Sequence, residues 1–221
     1  MDECVKLPSV EHALFEWSHD ISEPPRGHFV GRDGMLYKKR GDSYTDASSF
    51  RRADPRQSQA VTARRIISYI EDGLGWSKSF YTNNGNINKG GFQWCGAFMA
   101  FCFAQTGLAE DIRKSHCAST YRLFAFCKGT PRSVPLDSIQ AGDVVVVGKK
   151  GSKRWGSHIT LCTQVNEEEI ETIEGNAHGW SGGGKWVEGV VKRKRPFKEY
   201  AEKGESYIMH AYRWLEEDFE E

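Results

Sequence analysis

Residues 90–107 read GGFQWCGAFMAFCFAQTG. From Cys95 to Gln105 the Ala, Phe and Met content favours a helix, and Gly107 supplies a C-terminal stop. Cys95 therefore falls in the helix's first turn, behind a glycine-rich approach. A thiol there feels the positive end of the helix dipole and free backbone N–H groups, both of which favour thiolate. Free cysteine is also among the most buried residue types, so position alone leaves a packing role and a nucleophilic role open. Cys102 lies mid-helix, outside the terminal field, and is assigned to packing with Cys117, Cys127 and Cys162.

The flanking sequence sets this helix among others. In SQAVTARRIISYIEDGLGW, residues 58–76, Val61, Ile66, Ile67 and Ile70 recur near a helical period, and Gly73 and Gly75 end it. That predicts a helix of about four turns. The stretch YTNNGNINKGG, residues 81–91, is a polar loop leading to Cys95. HCASTYRLFAFCKG, residues 116–129, reads as a further helix, with Ser119 or Thr120 as cap and Gly129 as stop. After it the period changes. GDVVVVG, SHITLCTQV, EIETIEGN, KWVEGVVKR and SYIMHAYRW are β-branched or aromatic runs separated by turns, which predicts an antiparallel sheet of about five strands. Helices first and strands second give an α+β fold. Residues 1–55, broken by Pro, Gly, Asp and Ser, read as an N-terminal extension or small subdomain, and residues 56–221 as the main body.

Composition excludes several classes. The 221 residues carry 30 basic and 30 acidic side chains, so no global charge argues for nucleic acid or an anionic membrane. The run VKRKR, residues 191–195, reads as a solvated face and is given no function. No stretch approaches the roughly 18 apolar residues of a membrane helix. The first residues, MDECVKLPSVEHALFEW, are acidic where a signal peptide is basic, and the expectation is a chain made and kept soluble in a cytosol. The six cysteines are then reduced thiols. Only His116 and Cys117 are neighbours and no C-x-x-C occurs, so no metal site is expected.

A cysteine nucleophile needs a base, and the base an orienting acceptor. His158 opens the strand of SHITLCTQV after a glycine-containing loop, and the next strand carries Glu174 and Asn176, two apart and hence on one strand face. Adjacent antiparallel strands bring a carboxylate or an amide beside His158. Lone strand histidines are commonly structural; the order Cys, His, acid or amide, each at an element end, is what favours a site.

FQWCGAFMAFCFAQTG, QAGDVVVVG, GSHITLCTQV and IETIEGN resemble, in that order and at similar distances, the motifs of CHAP amidase/peptidase domains and the related NlpC-type cell-wall cysteine peptidases. The likeness covers roughly residues 58–214. It implies a papain-like fold, with Cys95 as nucleophile, His158 as base, and Glu174 with Asn176 as the polar pair after the histidine. Many relatives have alanine after the cysteine and glycine before the histidine, where this chain has Gly96 and Ser157. Gln93 is a candidate oxyanion donor beside the backbone N–H of Cys95, and Trp94, Trp155 and Trp180 are candidate cleft walls, with Trp186 assigned to the core. No cofactor is required. The resemblance implies peptidoglycan as substrate, cut within the stem peptide or at the glycan-to-peptide amide. Delivery as a type VI secretion effector to a rival's periplasm, with a cognate immunity protein, or as a phage endolysin, suits a chain read as leaderless. An intracellular thiol amidase and a non-catalytic module of the same fold are the rival readings.

Overall fold

The computed structural model describes residues 8–23, 28–30, 36–38, 51–52, 64–80, 82–83, 86–88, 93–149, 151, 153–154, 156–184, 186–197 and 206–220. Its centre is the helix of the Cys95 stretch. Every residue from Cys95 to Phe103 is buried, and a helix that is apolar all round must be covered on all sides. This helix, α3 (Cys95–Ala104), packs against α1 (Pro8–Ser18), against α2 (64–74, whose Tyr69–Gly73 turn is π-helical), against α4 (110–117) and against the main sheet. Tyr69 is fully buried and lies against Trp94, Phe98 and Phe101 with ring centroids 5.7, 5.4 and 5.1 Å apart. The predicted third helix is α5 (Thr120–Cys127), with Ser119 at its N-cap position and Gly129 in the left-handed region after it. Val61, at the start of the predicted second helix, lies outside the described residues.

Two sheets are present. The smaller joins β1 (His28–Val30), β2 (Leu36–Lys38), β3 (Arg51–Arg52), β4 (Thr82–Asn83) and β5 (Asn86–Asn88) in the order β3-β2-β1-β5-β4. The larger holds β6 (Ser133–Val134), β7 (Val144–Lys149), β8 (His158–Val165), β9 (Glu169–Trp180), β10 (Trp186–Pro196) and β11 (Ser206–Tyr212), in the order β10-β9-β8-β7-β11-β6 with every pairing antiparallel. The fold is thus α+β, with six strands in this sheet where five were expected. The extra one, β6, is two residues long and pairs only at the β11 edge, too short to show a period.

Both faces of the larger sheet are covered, and β7 shows why its sequence does not alternate. Val144 and Val146 enter the main core under the helices, while Val145 and Val147 enter a second cluster with Ile139, Cys162, Ile170 and Ile208. A strand buried on both faces reads as a continuous apolar run.

Residues 8–23 are not separate from this body. Val10, Ala13 and Ile21 belong to the main core. Glu16, only 2% exposed, accepts from Arg65 Nε and Nη2 at 3.1 and 2.6 Å and from the Tyr69 hydroxyl at 2.6 Å. Residues 21–23 pair along β10, with Val190 N–H donating to the Ile21 carbonyl at 2.9 Å and Glu23 N–H to the Glu188 carbonyl at 2.8 Å. Strands β1 to β3 likewise share a sheet with β4 and β5. Among the described residues, elements on both sides of residue 55 thus share one core and one sheet; the turn-rich composition marked hairpins, and hairpin spacing does not say what the strands pair with.

Candidate active site

Cys95 is the first residue of α3, where its N–H has no intrahelical acceptor. It is 8% exposed. Burial alone would push its thiol up. The charge of His158 and a hydrogen bond to it, joined by the backbone N–H groups of Ile159 and Gly96, more than offset that and hold the thiol below its ordinary value. The neighbouring Gly96 has a packing reason: a Cβ there would stand 2.1 Å from the Cys117 carbonyl oxygen, on the backbone of α4. In Gly96→Ala, overpacking of typically about 1–3 kcal/mol outweighs the roughly 1 kcal/mol that alanine gains over glycine in a helix. The variant is expected to show a lower denaturation midpoint in chemical unfolding.

His158 opens β8 and Glu174 lies mid-strand on β9. Both strands pack against α3. His158 Nε2 stands 3.2 Å from Glu174 Oε2, an ion-pair distance, although the angle is not that of a hydrogen bond. The other ring nitrogen is left for Cys95. Burial opposes charge on the ring, but the Cys95 thiolate and then Glu174 raise His158 to about 10. Each of the two groups thus favours the charged form of the other. Close approach of β9 to α3 depends on Gly175, where a Cβ would meet Phe98 Cβ at 2.5 Å and the Trp94 ring at 2.7 Å.

Glu174 is fully buried. Its Oε1 accepts from Arg195 Nε at 2.9 Å, Arg195 Nη2 at 2.6 Å and the Thr172 hydroxyl at 2.8 Å, and its Oε2 accepts from Arg195 Nη2 at 2.8 Å. Burial would raise this carboxyl; His158 and Arg195 together bring it down to about 2. The sequence reading had no place for Arg195, because VKRKR looked like a solvated face. Strand alternation splits that run. Lys192 and Lys194 pair with Glu171 at 2.7 Å and Glu169 at the rim, while Arg193 and Arg195 share the face of Thr172 and Glu174 through the register Arg193↔Thr172 and Val191↔Glu174. Arg195 is 6% exposed.

Asn176 does not join Glu174 at the histidine. Between the pairs Gly189↔Ala177 and Val191↔Glu174, two residues of β9 oppose one of β10, a β-bulge. Asn176 sits in it with φ +58°, a left-handed conformation asparagine tolerates better than most residues. The bulge breaks the two-residue periodicity that placed Glu174 and Asn176 on one face. Asn176 Nδ2 instead donates to Gln93 Oε1 at 2.6 Å, which leaves the Gln93 amide N–H groups free to point elsewhere, two residues before Cys95.

Trp94 is no cleft wall. It is fully buried, and its Nε1 donates to Glu23 Oε1 at 2.6 Å, so it anchors residues 21–23 beside the start of α3. Trp155 and the Trp186 side chain lie outside the described residues. Trp180, at the end of β9, is 59% exposed. Cys102 is buried and its thiol is pushed well up by that burial; Cys117, Cys127 and Cys162 are pushed to about 12 for the same reason. These four and Cys95 are all free. A cavity of about 360 Å³, lined by Phe103, Asp143, Arg213, Trp214 and Phe219 among others, opens near the other end of α3 and touches none of these groups. No helix among the described residues is long and apolar enough to cross a membrane. Comparison of the chain with protein-family models, curated proteins and solved structures finds no match.

Proposed function

We propose that this chain is a papain-like cysteine hydrolase that cleaves an amide bond. The carrying observation is the row Cys95, His158, Glu174, in which the thiol is lowered and the imidazole raised by each other's charge and His158 Nε2 stands 3.2 Å from Glu174 Oε2. The Cys95 thiolate adds to the amide carbonyl carbon and the C=O electron pair moves to oxygen. The Cys95 backbone N–H and the Gln93 side-chain amide, held by Asn176, are the donors offered to that oxyanion. The intermediate collapses with transfer of the His158 proton to the departing nitrogen, giving an amine and a thioester. Water, deprotonated by His158, then releases the acid and regenerates the thiol.

The substrate reading rests on the CHAP and NlpC resemblance and is peptidoglycan, at either the stem peptide or the glycan-to-peptide amide. The same resemblance supports action in a target cell's periplasm as an antibacterial effector, with an immunity protein as the partner that blocks the cleft. Incubation of purified sacculi with the protein, followed by mass analysis of the soluble fraction, is expected to yield fragments whose new termini name the bond. Intact sacculi together with a fast-alkylating Cys95 would move the substrate away from the cell wall. Intact sacculi with Cys95 no more reactive than a free thiol would leave a binding module.

A further inference from the structure

We infer that Arg195 is a positioning residue of the triad, which fixes Glu174 as an oriented carboxylate and thereby sustains the imidazolium that the Cys95 thiolate needs. The inference rests on the hydrolase reading and adds a fourth member to its site.

The geometry carries it. A guanidinium presents its N–H donors as a rigid planar fork that matches a carboxylate, and here Nε and Nη2 both engage Glu174, spanning its two oxygens at 2.6 to 2.9 Å. With Thr172 at 2.8 Å, three donors converge on Oε1. Rotation of the carboxylate is thus blocked, and Oε2 is the oxygen held 3.2 Å from His158 Nε2. Arg193 Nε lies farther out, 4.0 Å from Oε2, and reinforces the field without sharing the fork. Charge alternates along the row: Arg195 positive, Glu174 negative, His158 positive, Cys95 negative. Each charge of the row has its counter-charge adjacent, which for the buried Arg195 and Glu174 is the condition for keeping ions out of water. Without Arg195 the fully buried Glu174 has only His158 and the more distant Arg193 to balance it, and burial favours its protonation. A neutral carboxylic acid no longer supports the imidazolium, and the thiolate loses its partner.

The test reads Cys95 directly and needs no substrate. Iodoacetamide alkylation of Cys95 is followed against pH in wild type, Arg195→Met and Arg195→Lys, together with the His158 titration by NMR. Wild type is expected to react faster than a free thiol near neutral pH. In Arg195→Met the rate falls about tenfold or more, which corresponds to roughly one pKa unit at the pair, and His158 titrates lower. Arg195→Lys retains the charge and loses the fork, so its rate lies between the two. A folded Arg195→Met with the wild-type alkylation profile and the wild-type His158 titration overturns the inference. Should that variant not fold, Arg195→Lys decides: a rate below wild type with His158 titrating lower supports positioning by the fork, and a rate equal to wild type overturns it. A wild-type Cys95 no faster than a free thiol is a different outcome, which removes the hydrolase reading itself and the inference with it.

Discussion

Cys95→Ala is expected to abolish hydrolysis while the protein remains folded, and Cys102→Ala to leave hydrolysis in place. The two thiols sit seven residues apart on α3 and both are buried, yet their environments push them in opposite directions. Cys102 is pushed up by burial and by the nearby Glu16 charge, so it remains an inert thiol at working pH. Cys95, at the helix start and facing His158, is brought down. His158→Ala should cost about as much as Cys95→Ala, and the double variant little more than either, because residues that act as a unit are non-additive. The pH profile of kcat/KM follows from the same two shifts. It rises below the ordinary thiol range as Cys95 ionises, and it falls as His158 loses its proton on the way to about 10. Equal losses in folded Cys95→Ala and folded Cys102→Ala would remove the assignment of the nucleophile.

The positions of Cys95 and His158 were legible because each stands where secondary structure begins. Helix formers bounded by Gly107 locate the start of α3, and the switch to β-branched residues locates β8, so Cys95 and His158 follow from patterns three to ten residues long. What was not legible depends on register. The bulge between Gly189 and Val191 turns Asn176 away from the histidine, and no local pattern announces it. Arg195 was hidden for a related reason: the run VKRKR divides between lysines paired with Glu171 and Glu169 and a strand face that carries the buried Arg195 to Glu174 only once β10 is paired with β9. Trp94 shows the opposite error. A tryptophan next to a nucleophile invites a cleft role, but residues 21–23, far away in sequence, cover it and supply Glu23 as its acceptor. Long-range partners of this kind leave no trace in spacing.

Glu174→Gln is expected to be the most damaging change outside the nucleophile and base, in stability and activity together. The substitution keeps the shape and removes the charge from a site where Arg195 donates three of the hydrogen bonds. Removing one partner of a buried ion pair typically costs about 3–5 kcal/mol, because the other charge remains buried without compensation. The pH dependence identifies the source. Glu174 has its folded value depressed, from an ordinary 4.5 to about 2, so its contribution to stability is fully present above the unfolded value and is lost as pH falls through the folded one. The stability gap between wild type and Glu174→Gln, measured by chemical unfolding, should therefore be constant near neutrality and close as pH falls below about 4.5 toward about 2. At the site, loss of the carboxylate removes a partner that raises His158, so the histidine titrates lower by NMR and the alkaline limb of kcat/KM comes down. Asn176→Ala should act differently, lowering activity by releasing Gln93 while leaving the His158 titration where it was. An unchanged His158 titration in Glu174→Gln, alongside a large kinetic loss in Asn176→Ala, would exchange the two roles and make the orienting group an amide.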